Sequence, residues 1–415
     1  MRILVLGSGA REHAIVTALL RENAEHDITV APGNAGIARE VAVVSLDTSS
    51  GELVARFAAD NDIELVVIGP EAPLVAGVAD RVRLVGIPVF GPGKAAAQLE
   101  GSKSFAKRIM QEAGVPTGRA VQAATLAEVA DALDTYGAPY VVKADGLAAG
   151  KGVLVTDDRA AAVAHAEYWL GHGGVLVEEF LSGQEVSLFL LSDGQDVLPL
   201  APAQDFKRLL DGDTGPNTGG MGAYSPLPWL PDGFVDEVID TVALPTVRRL
   251  AAEGTPFVGL LYCGLVLTTS GIRVIEFNAR FGDPETQVVL PRLATPLSDL
   301  MFAAATGGLG KLPYPRFSDE VAVAVVLASE GYPDGAEVGR PITGLDEATA
   351  VPGVSLAFAA TALAGDRFVT TGGRVLSVVA TAADFATARS RAYRALDAIG
   401  LEGGQYRTDI AAGVD

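Results

Sequence analysis

The sequence predicts an α/β protein of several domains, and three observations carry that expectation. The first hundred residues alternate short apolar runs with helix-length segments, the pattern of a parallel sheet with helices on both faces. The chain has 415 residues, 49% of them hydrophobic and only 6% aromatic. That length exceeds one ordinary core, and an Ala-, Val-, Leu- and Gly-rich composition suits α/β layers and argues against disorder. Glycine-rich turns follow the predicted strands, and ligands of open parallel sheets bind at the carboxyl ends of those strands.

In chain order, Ile3–Leu6, Ile28–Ala31, Val41–Val44, Ile63–Ile68 and Pro88–Phe90 are predicted strands. Glu12–Arg21 and Leu74–Val85 are predicted helices between them. A helix is predicted over Lys94–Ala113, stopped by Gly114 with Pro116 beyond. A compact unit follows: strand Tyr140–Lys143, a small-residue loop, strand Gly152–Thr156, helix Asp158–Leu170 and strand Gly174–Glu179. Strands near Glu185–Leu191 and Val197–Ala201 come next, then a loop over Asp211–Gly222 and a helix near Phe234–Ala252. A strand pair, Gly259–Thr268 and Arg273–Phe277, precedes the linker Leu312-Pro313-Tyr314-Pro315. The rest, with strands near Val321–Ala328 and Arg374–Ala380 and a helix near Ala383–Ala398, reads as a smaller α/β unit.

Bulk properties exclude several function classes. The net charge of −20 is spread evenly, without a basic block, so nucleic acid is not an expected partner. Anionic ligands must be held by local amides and single Lys or Arg residues. No apolar run approaches the roughly 20 residues of a membrane span, so no membrane partner is expected. Met1-Arg2-Ile3-Leu4-Val5 runs straight into a strand without room for a signal peptide, and a cytoplasmic location is expected. One cysteine, Cys263, and four histidines without zincin spacing argue against a zinc or haem enzyme.

Six segments carry chemistry. Gly7-Ser8-Gly9 follows a strand and opens a helix, as a dinucleotide fingerprint would, but Glu12 stands at the third glycine position and no acidic residue follows the second strand. Helix N-terminal amides still favour a small anion there, and Pro32-Gly33-Asn34-Ala35-Gly36 adds a second amide-rich turn on the same edge. In Lys143-Ala144-Asp145-Gly146-Leu147-Ala148-Ala149-Gly150-Lys151-Gly152, a loop without bulky side chains can close over a polyphosphate between two lysines. It lacks the Gly-Lys-Ser/Thr ending of a Walker A loop, and an ordinary hairpin is the bland alternative. Glu178-Glu179-Phe180-Leu181 ends a strand and Gln184-Glu185 begins another, offering extended backbone to an adenine edge and a carboxylate to ribose. On the strand Glu276-Phe277-Asn278, Glu276 and Asn278 share a face, and a carboxylate beside an amide oxygen suits Mg²⁺ completed by phosphate oxygens. Asp211–Gly222 has five glycines in twelve residues, so it buries little and reads as a ligand loop or a linker.

Together these segments resemble the phosphoribosylamine–glycine ligase (glycinamide ribonucleotide synthetase) family of the ATP-grasp superfamily over essentially the whole length. The matching runs are LGSGAREHA at 6–14, APGNAG at 31–36, GPEAPLVAG at 69–77, AAAQLEGSK at 95–103, VVKADGLAAGKGV at 141–153, DGDTGPNTGGMGAYSP at 211–226 and VIEFNARFGDPETQ at 274–287. The run 280–285 is a signature of this family and not of ATP-grasp enzymes at large. The resemblance implies an N-terminal parallel α/β substrate-binding domain over 1–102 and an ATP-grasp domain over 103–312 with a small lid subdomain at 121–188. A small C-terminal α/β domain would occupy 313–415. It implies ATP-dependent joining of glycine to 5-phosphoribosylamine through glycyl phosphate, in purine biosynthesis, with Mg²⁺ or Mn²⁺ as the metal. A monomer is expected.

Carried onto matching positions, the resemblance assigns ATP to Lys103, Lys143, Gly150, Lys151, Glu178, Glu179, Phe180, Leu181 and Glu185. It assigns the metal to Glu276 and Asn278, and the substrates to Gly9, Asn34, Gly36, Glu71, Asp205 and Gly219. Arg280, Asp283 and Asp213 would be catalytic. The chain departs from the family pattern at Ala10 and Gly93, both small, and at Phe206, where a histidine is usual. Two other readings share some of these features: a different carboxylate–amine ligase of the ATP-grasp type, which should lack the 280–285 run, and a nicotinamide-dependent oxidoreductase or plain nucleotide-binding module.

Overall fold

The computed structural model describes residues 1–147 and 152–414. The N-terminal sheet is wholly parallel, in the order Ala42–Val43, Asp27–Pro32, Arg2–Gly7, Leu65–Ile68, Val89–Phe90. Its central strand explains the continuous apolar run: Leu4 and Leu6 join one core and Ile3 and Val5 another, so both faces are covered. Helices Gly51–Asp60 and Val78–Leu84 bury Val54, Ala58 and Val82 in the first core, and helix Ala10–Leu20 buries Ile15, Val16 and Leu19 in the second.

The middle of the chain forms an antiparallel sheet ordered Val197–Pro199, Gln184–Asp193, Val258–Thr268, Gly271–Asn278. A second antiparallel sheet, Ala120–Ala123, Val175–Glu178, Tyr140–Ala144, Val153–Thr156, has its own small core under helices Leu126–Tyr136 and Arg159–Leu170. The two sheets meet where Lys143 Nζ donates to the Ile275 carbonyl at 3.3 Å. The last sheet runs Gln204–Asp205, Gly222–Ser225, Val321–Ala328, Arg374–Ala382, Val354–Phe358, backed by helix Phe385–Ala398. Two of its strands thus come from the middle of the chain, on either side of the glycine-rich segment. Among the described residues, no helix is long and apolar enough to cross a membrane.

Several expected elements differ in detail. The helix expected over Lys94–Ala113 is two helices, Gln98–Gly101 and Lys103–Ala113, because Ser102 adopts extended backbone and caps the second by accepting from the Phe105 amide. The helix expected over Leu74–Val85 breaks at Gly77, which takes φ 86° between Glu71–Ala76 and Val78–Leu84. The expected loop Asp211–Gly222 begins as a hairpin, with Arg208–Leu210 paired to Thr214–Asn217.

Candidate functional site

On strand Gly271–Asn278, Val274 and Phe277 are buried, while Glu276 and Asn278 stand on the shared face expected for them. Burial pushes the Glu276 carboxyl up, but Lys207, Lys143, Lys103 and Arg280 outweigh it and hold the pKa below the usual carboxylate value. Among the described residues, Asn278 Oδ1 makes only a 3.5 Å contact with Arg280 Nη2. An ionised carboxylate and a lightly engaged amide oxygen are hard donors, and they fit a divalent cation such as Mg²⁺.

The lysines around Glu276 are held by different devices. Lys103 opens helix Lys103–Ala113, its ammonium donates to the Gly146 carbonyl at 3.1 Å, and burial lowers its pKa. Lys143 lies inside strand Tyr140–Ala144 and pairs with Glu178 at 3.1 Å. Glu178 also receives Lys107 at 3.3 Å. Lys207 donates to Glu185 at 2.5 Å; burial would lower its pKa, but Glu185 and Glu276 raise it above the usual lysine value. Asp145 ties the loop after Lys143 to the same helix start, accepting from Ser102 Oγ at 3.1 Å and the Ser104 amide at 3.2 Å. The Glu179 carboxylate takes the Arg119 side chain at 2.7 Å and its amide at 2.8 Å, and the Glu179 amide donates to the Arg119 carbonyl. Phe180 is exposed.

A second cluster joins the N-terminal loops to the turn after Asn278. Arg280 contacts Glu100 at 3.0 Å and Glu71 at 3.5 Å, which keeps its guanidinium charged despite burial. Burial pushes Glu71 up, yet Arg280 and Arg11 hold it below the usual range; for Glu100 burial prevails and its pKa rises. Asp283 accepts from Gln287 at 2.8 Å and pairs with Arg374 at 3.3 Å. It lies beside Gly9, where an added Cβ would stand 3.7 Å from Asp283 Oδ2. Asp205 Oδ1 is buried with no hydrogen-bond partner among the described residues. Burial first, then neighbouring Glu285, drives the Asp205 pKa well up, against Lys207 and Arg374.

The three domain descriptions of phosphoribosylglycinamide synthetase match this chain: the N domain over residues 1–100, the ATP-grasp (A) domain over 101–286 and the C domain over 322–413. The chain belongs to the phosphoribosylglycinamide synthetase family. It is 73% identical to phosphoribosylamine–glycine ligase of Leifsonia xyli, covering 99% of this chain and 100% of that one. The Streptomyces coelicolor protein of the same name is 59% identical, with 99% of both chains covered. The crystal structure of phosphoribosylamine–glycine ligase from Thermotoga maritima superposes with a TM-score of 0.85 at 34% identity, covering 99% of this chain and 100% of that one. The ATP-grasp fold with flanking N and C domains is therefore the architecture of this synthetase.

Within that architecture the residues expected at the site fall into three groups. Lys103, Lys143, Glu178, Glu185, Glu276 and Asn278 converge around the shared strand face. Gly9, Glu71, Asp205, Gly219, Arg280 and Asp283 surround the turn that follows it. The remaining positions serve neighbouring contacts or fall outside. Gly9 was expected to offer its amide to an anion, but that amide donates to Glu12 at 2.6 Å, so the chain's own carboxylate occupies the helix N-terminus. The side chain of Asn34 is fully engaged, donating to the Ser8 and Phe358 carbonyls and accepting from the amides of Gly36 and Ile37. Gly36 packs under Phe358, with a would-be Cβ 2.3 Å from the ring. Asp213 pairs with Arg407 at 2.7 Å, and Arg407 belongs to neither cluster. Gly150 and Lys151 lie outside the described residues.

Sequence reasoning missed Lys207, Glu100, Glu285 and Arg374. Lys207 stands next to Phe206, a few residues before the glycine-rich segment, and was legible as a cation beside it. Glu285, which accepts from Tyr262 at 2.5 Å and Ser187 at 3.0 Å, lies inside the 280–285 run. Arg374 had no local signal, since it reaches the site from a strand about ninety residues beyond Asp283 in the chain. Phe206 supports the Arg407 guanidinium 4.9 Å from its ring centroid, so the substituted position carries a cation–π contact.

Proposed function

We propose that the two clusters form one reaction centre for joining glycine to 5-phosphoribosylamine at the expense of ATP, giving ADP, phosphate and glycinamide ribonucleotide. The observation that carries this reading is the Glu276 carboxylate, kept ionised by Lys207, Lys143 and Lys103 within reach of the Arg280–Asp283 turn. A carboxylate is a poor electrophile. An oxygen of the glycine carboxylate therefore attacks the γ-phosphorus, the bond to the β-phosphate oxygen breaks, and ADP leaves with that electron pair. The amine nitrogen of phosphoribosylamine then attacks the acyl carbon of glycyl phosphate, phosphate departs and the nitrogen loses a proton.

In this reading Lys103 and Lys143 bind ATP phosphates, as do Gly150 and Lys151 of the glycine loop. Glu178, Glu179, Phe180, Leu181 and Glu185 form the adenosine side. Glu276 and Asn278 hold Mg²⁺, or Mn²⁺ in its place, which supplies charge compensation for the polyphosphate. Arg280 adds cationic charge next to the transferring group, held in place by Glu71 and Glu100. Asp283, Asp205 and Gly219 line the acceptor side; Gly9, Asn34 and Gly36, engaged within the chain, shape the loops beside it, and Asp213 steers the hairpin that leads into it. The proposed division of labour follows domains 1–102, 103–312 with lid 121–188, and 313–415, in a monomeric cytoplasmic enzyme. The test is phosphate release by purified protein with ATP and Mg²⁺. Release that requires both glycine and phosphoribosylamine is the expected result; no turnover with that pair rejects the reading.

A further inference from the structure

The glycine-rich segment that leads from the hairpin into strand Gly222–Ser225 is gripped from the C-terminal part of the chain. Arg374, at the start of strand Arg374–Ala382, donates through Nη1 to the Gly219 carbonyl at 2.5 Å, the Asp283 carbonyl at 2.8 Å and the Gly220 carbonyl at 3.4 Å. Its Nη2 pairs with the Asp283 carboxylate at 3.3 Å. Tyr332 completes the grip, its hydroxyl accepting from the Gly219 amide at 2.9 Å. Gly219 lies close under this side chain: an added Cβ would stand 3.0 Å from Arg374 Cζ, and the guanidinium would have to give by a few tenths of an ångström. At Gly220, φ is +108° and a Cβ would meet Pro284 Cδ at 2.4 Å and Asp205 Oδ1 at 2.7 Å. One guanidinium therefore fixes both the backbone beside the Asp205 oxygen that has no partner among the described residues and the carboxylate beside Gly9.

We propose that Arg374, assisted by Tyr332, is a positioning residue for the carboxylate and amine substrates: it orients the Gly219–Gly220 peptides and the Asp283 carboxylate against which those substrates are held. The inference rests on the function proposed above. The shape of the donor singles out Arg over Lys. A planar fork can serve two carbonyls and a carboxylate together, whereas an ammonium is a compact point donor on a flexible stem. Among the described residues, the side-chain partners of Lys103, Lys143 and Lys207 (the Gly146 and Ile275 carbonyls, Glu178 and Glu185) include none of those of Arg374; the link to the gripped segment is the Lys207 carbonyl, which accepts from the Thr218 amide at 2.8 Å, so loss of the grip should weaken binding of the other two substrates far more than that of ATP.

The test compares wild type, Arg374→Lys, Arg374→Ala and Tyr332→Phe by steady-state phosphate release, varying each substrate in turn, with thermal unfolding of each variant. For Arg374→Ala the expected result is a rise of about tenfold or more in KM for glycine and for phosphoribosylamine, with KM for ATP changed less than about twofold. Arg374→Lys should recover only part of that loss. Tyr332→Phe, which removes a single acceptor at the rim, should shift the same two constants by about two- to fivefold. Equal changes in all three KM values, or a fall in kcat alone that tracks loss of folded protein, overturn the proposal, as does an Arg374→Lys variant indistinguishable from wild type. If Arg374→Ala does not fold, Tyr332→Phe decides: unchanged constants for glycine and phosphoribosylamine refute the grip. Failure of the wild type to turn over would instead refute the underlying function, so the two failures are separable.

Discussion

Glu178 is a carboxylate with 5% exposure between two ammonium groups, Lys143 at 3.1 Å and Lys107 at 3.3 Å. Each pair is worth roughly 5 kcal/mol of Coulomb attraction at an effective dielectric near 20, and desolvation of the three groups offsets most of it. What survives is an asymmetry between substitutions. Glu178→Ala strips the shared counter-ion from two lysines, of which Lys143 is only 4% exposed, and leaves like charges facing each other. Its expected cost is about 3–5 kcal/mol, the usual penalty for orphaning buried charge. Lys107→Met leaves a balanced Glu178–Lys143 pair and gives up hydrogen bonds to Thr117 Oγ1 and the Gly118 carbonyl, both at 3.0 Å. Its expected cost is about 1–2 kcal/mol. Urea unfolding of nucleotide-free protein, followed by far-ultraviolet circular dichroism, measures both. A Lys107→Met variant as destabilised as Glu178→Ala, or a Glu178→Ala variant within about 1 kcal/mol of wild type, would show that the shared carboxylate does not hold this junction.

Glu276→Ala should abolish phosphate release while the circular dichroism spectrum stays that of the folded protein, with a lowered urea midpoint because Lys207, Lys143 and Lys103 lose a shared counter-charge; near-normal turnover would sink the metal assignment. Asp205→Asn tests an acid whose pKa burial and Glu285 raise in the folded state. Such a group binds its proton more tightly when folded, so stability falls as pH rises from the ordinary aspartate pKa through the folded one. The variant should therefore gain stability over wild type as pH increases in that window, measured by urea midpoints across pH, and the two should converge at acid pH. Gly36→Ala drives a methyl into the Phe358 ring and should cost about 1–3 kcal/mol in the same unfolding assay, with the loss confined to stability if the role of Gly36 is packing.

The parts of this molecule legible in its sequence are those whose partners are close along the chain. The period-two placement of Glu276 and Asn278 around buried Phe277 needs only strand geometry, and it is observed. The parallel sheet follows from runs such as Ile3–Leu6, apolar on both faces. Both helix breaks carry a local mark that the helical pattern overrode: Gly77 in one, and Gly101 followed by the capping Ser102 in the other. The role of Glu12 was visible as a broken fingerprint but not as its cause. Its carboxyl folds back so tightly that a Cβ at Gly69 would meet it at 2.1 Å and one at Gly7 at 2.5 Å. Those glycines make room for a side chain of the chain itself. Nothing in a local window places His13 under the Phe358 amide, which it accepts at 2.9 Å, or Arg374 over Gly219. Such contacts are fixed by how separate layers dock.

That docking also resolves an electrostatic conflict posed by the composition. A protein of net charge −20 has to hold ATP, a phosphorylated amine and an amino-acid carboxylate together. Its overall field opposes all three, and the lysines that counter it are drawn from separate elements: Lys103 from a helix start, Lys143 from the small antiparallel sheet, Lys207 from the segment before the hairpin. Each has an acidic neighbour. Glu178 pairs with Lys143, Glu185 with Lys207, and Glu276 lies among all three. Without ligand the cluster is thus close to self-compensated, which limits the repulsion among lysines that burial would otherwise make costly. A polyphosphate entering with a divalent cation brings its own compensating charge, so it can join this set without stripping the lysines of their partners. On that argument, affinity for free ATP without the cation should be much weaker than for the metal complex, and titration of nucleotide binding with and without Mg²⁺ measures the difference. Equal affinity in the two titrations would mean that the lysines alone carry the phosphates and that Glu276 has another task.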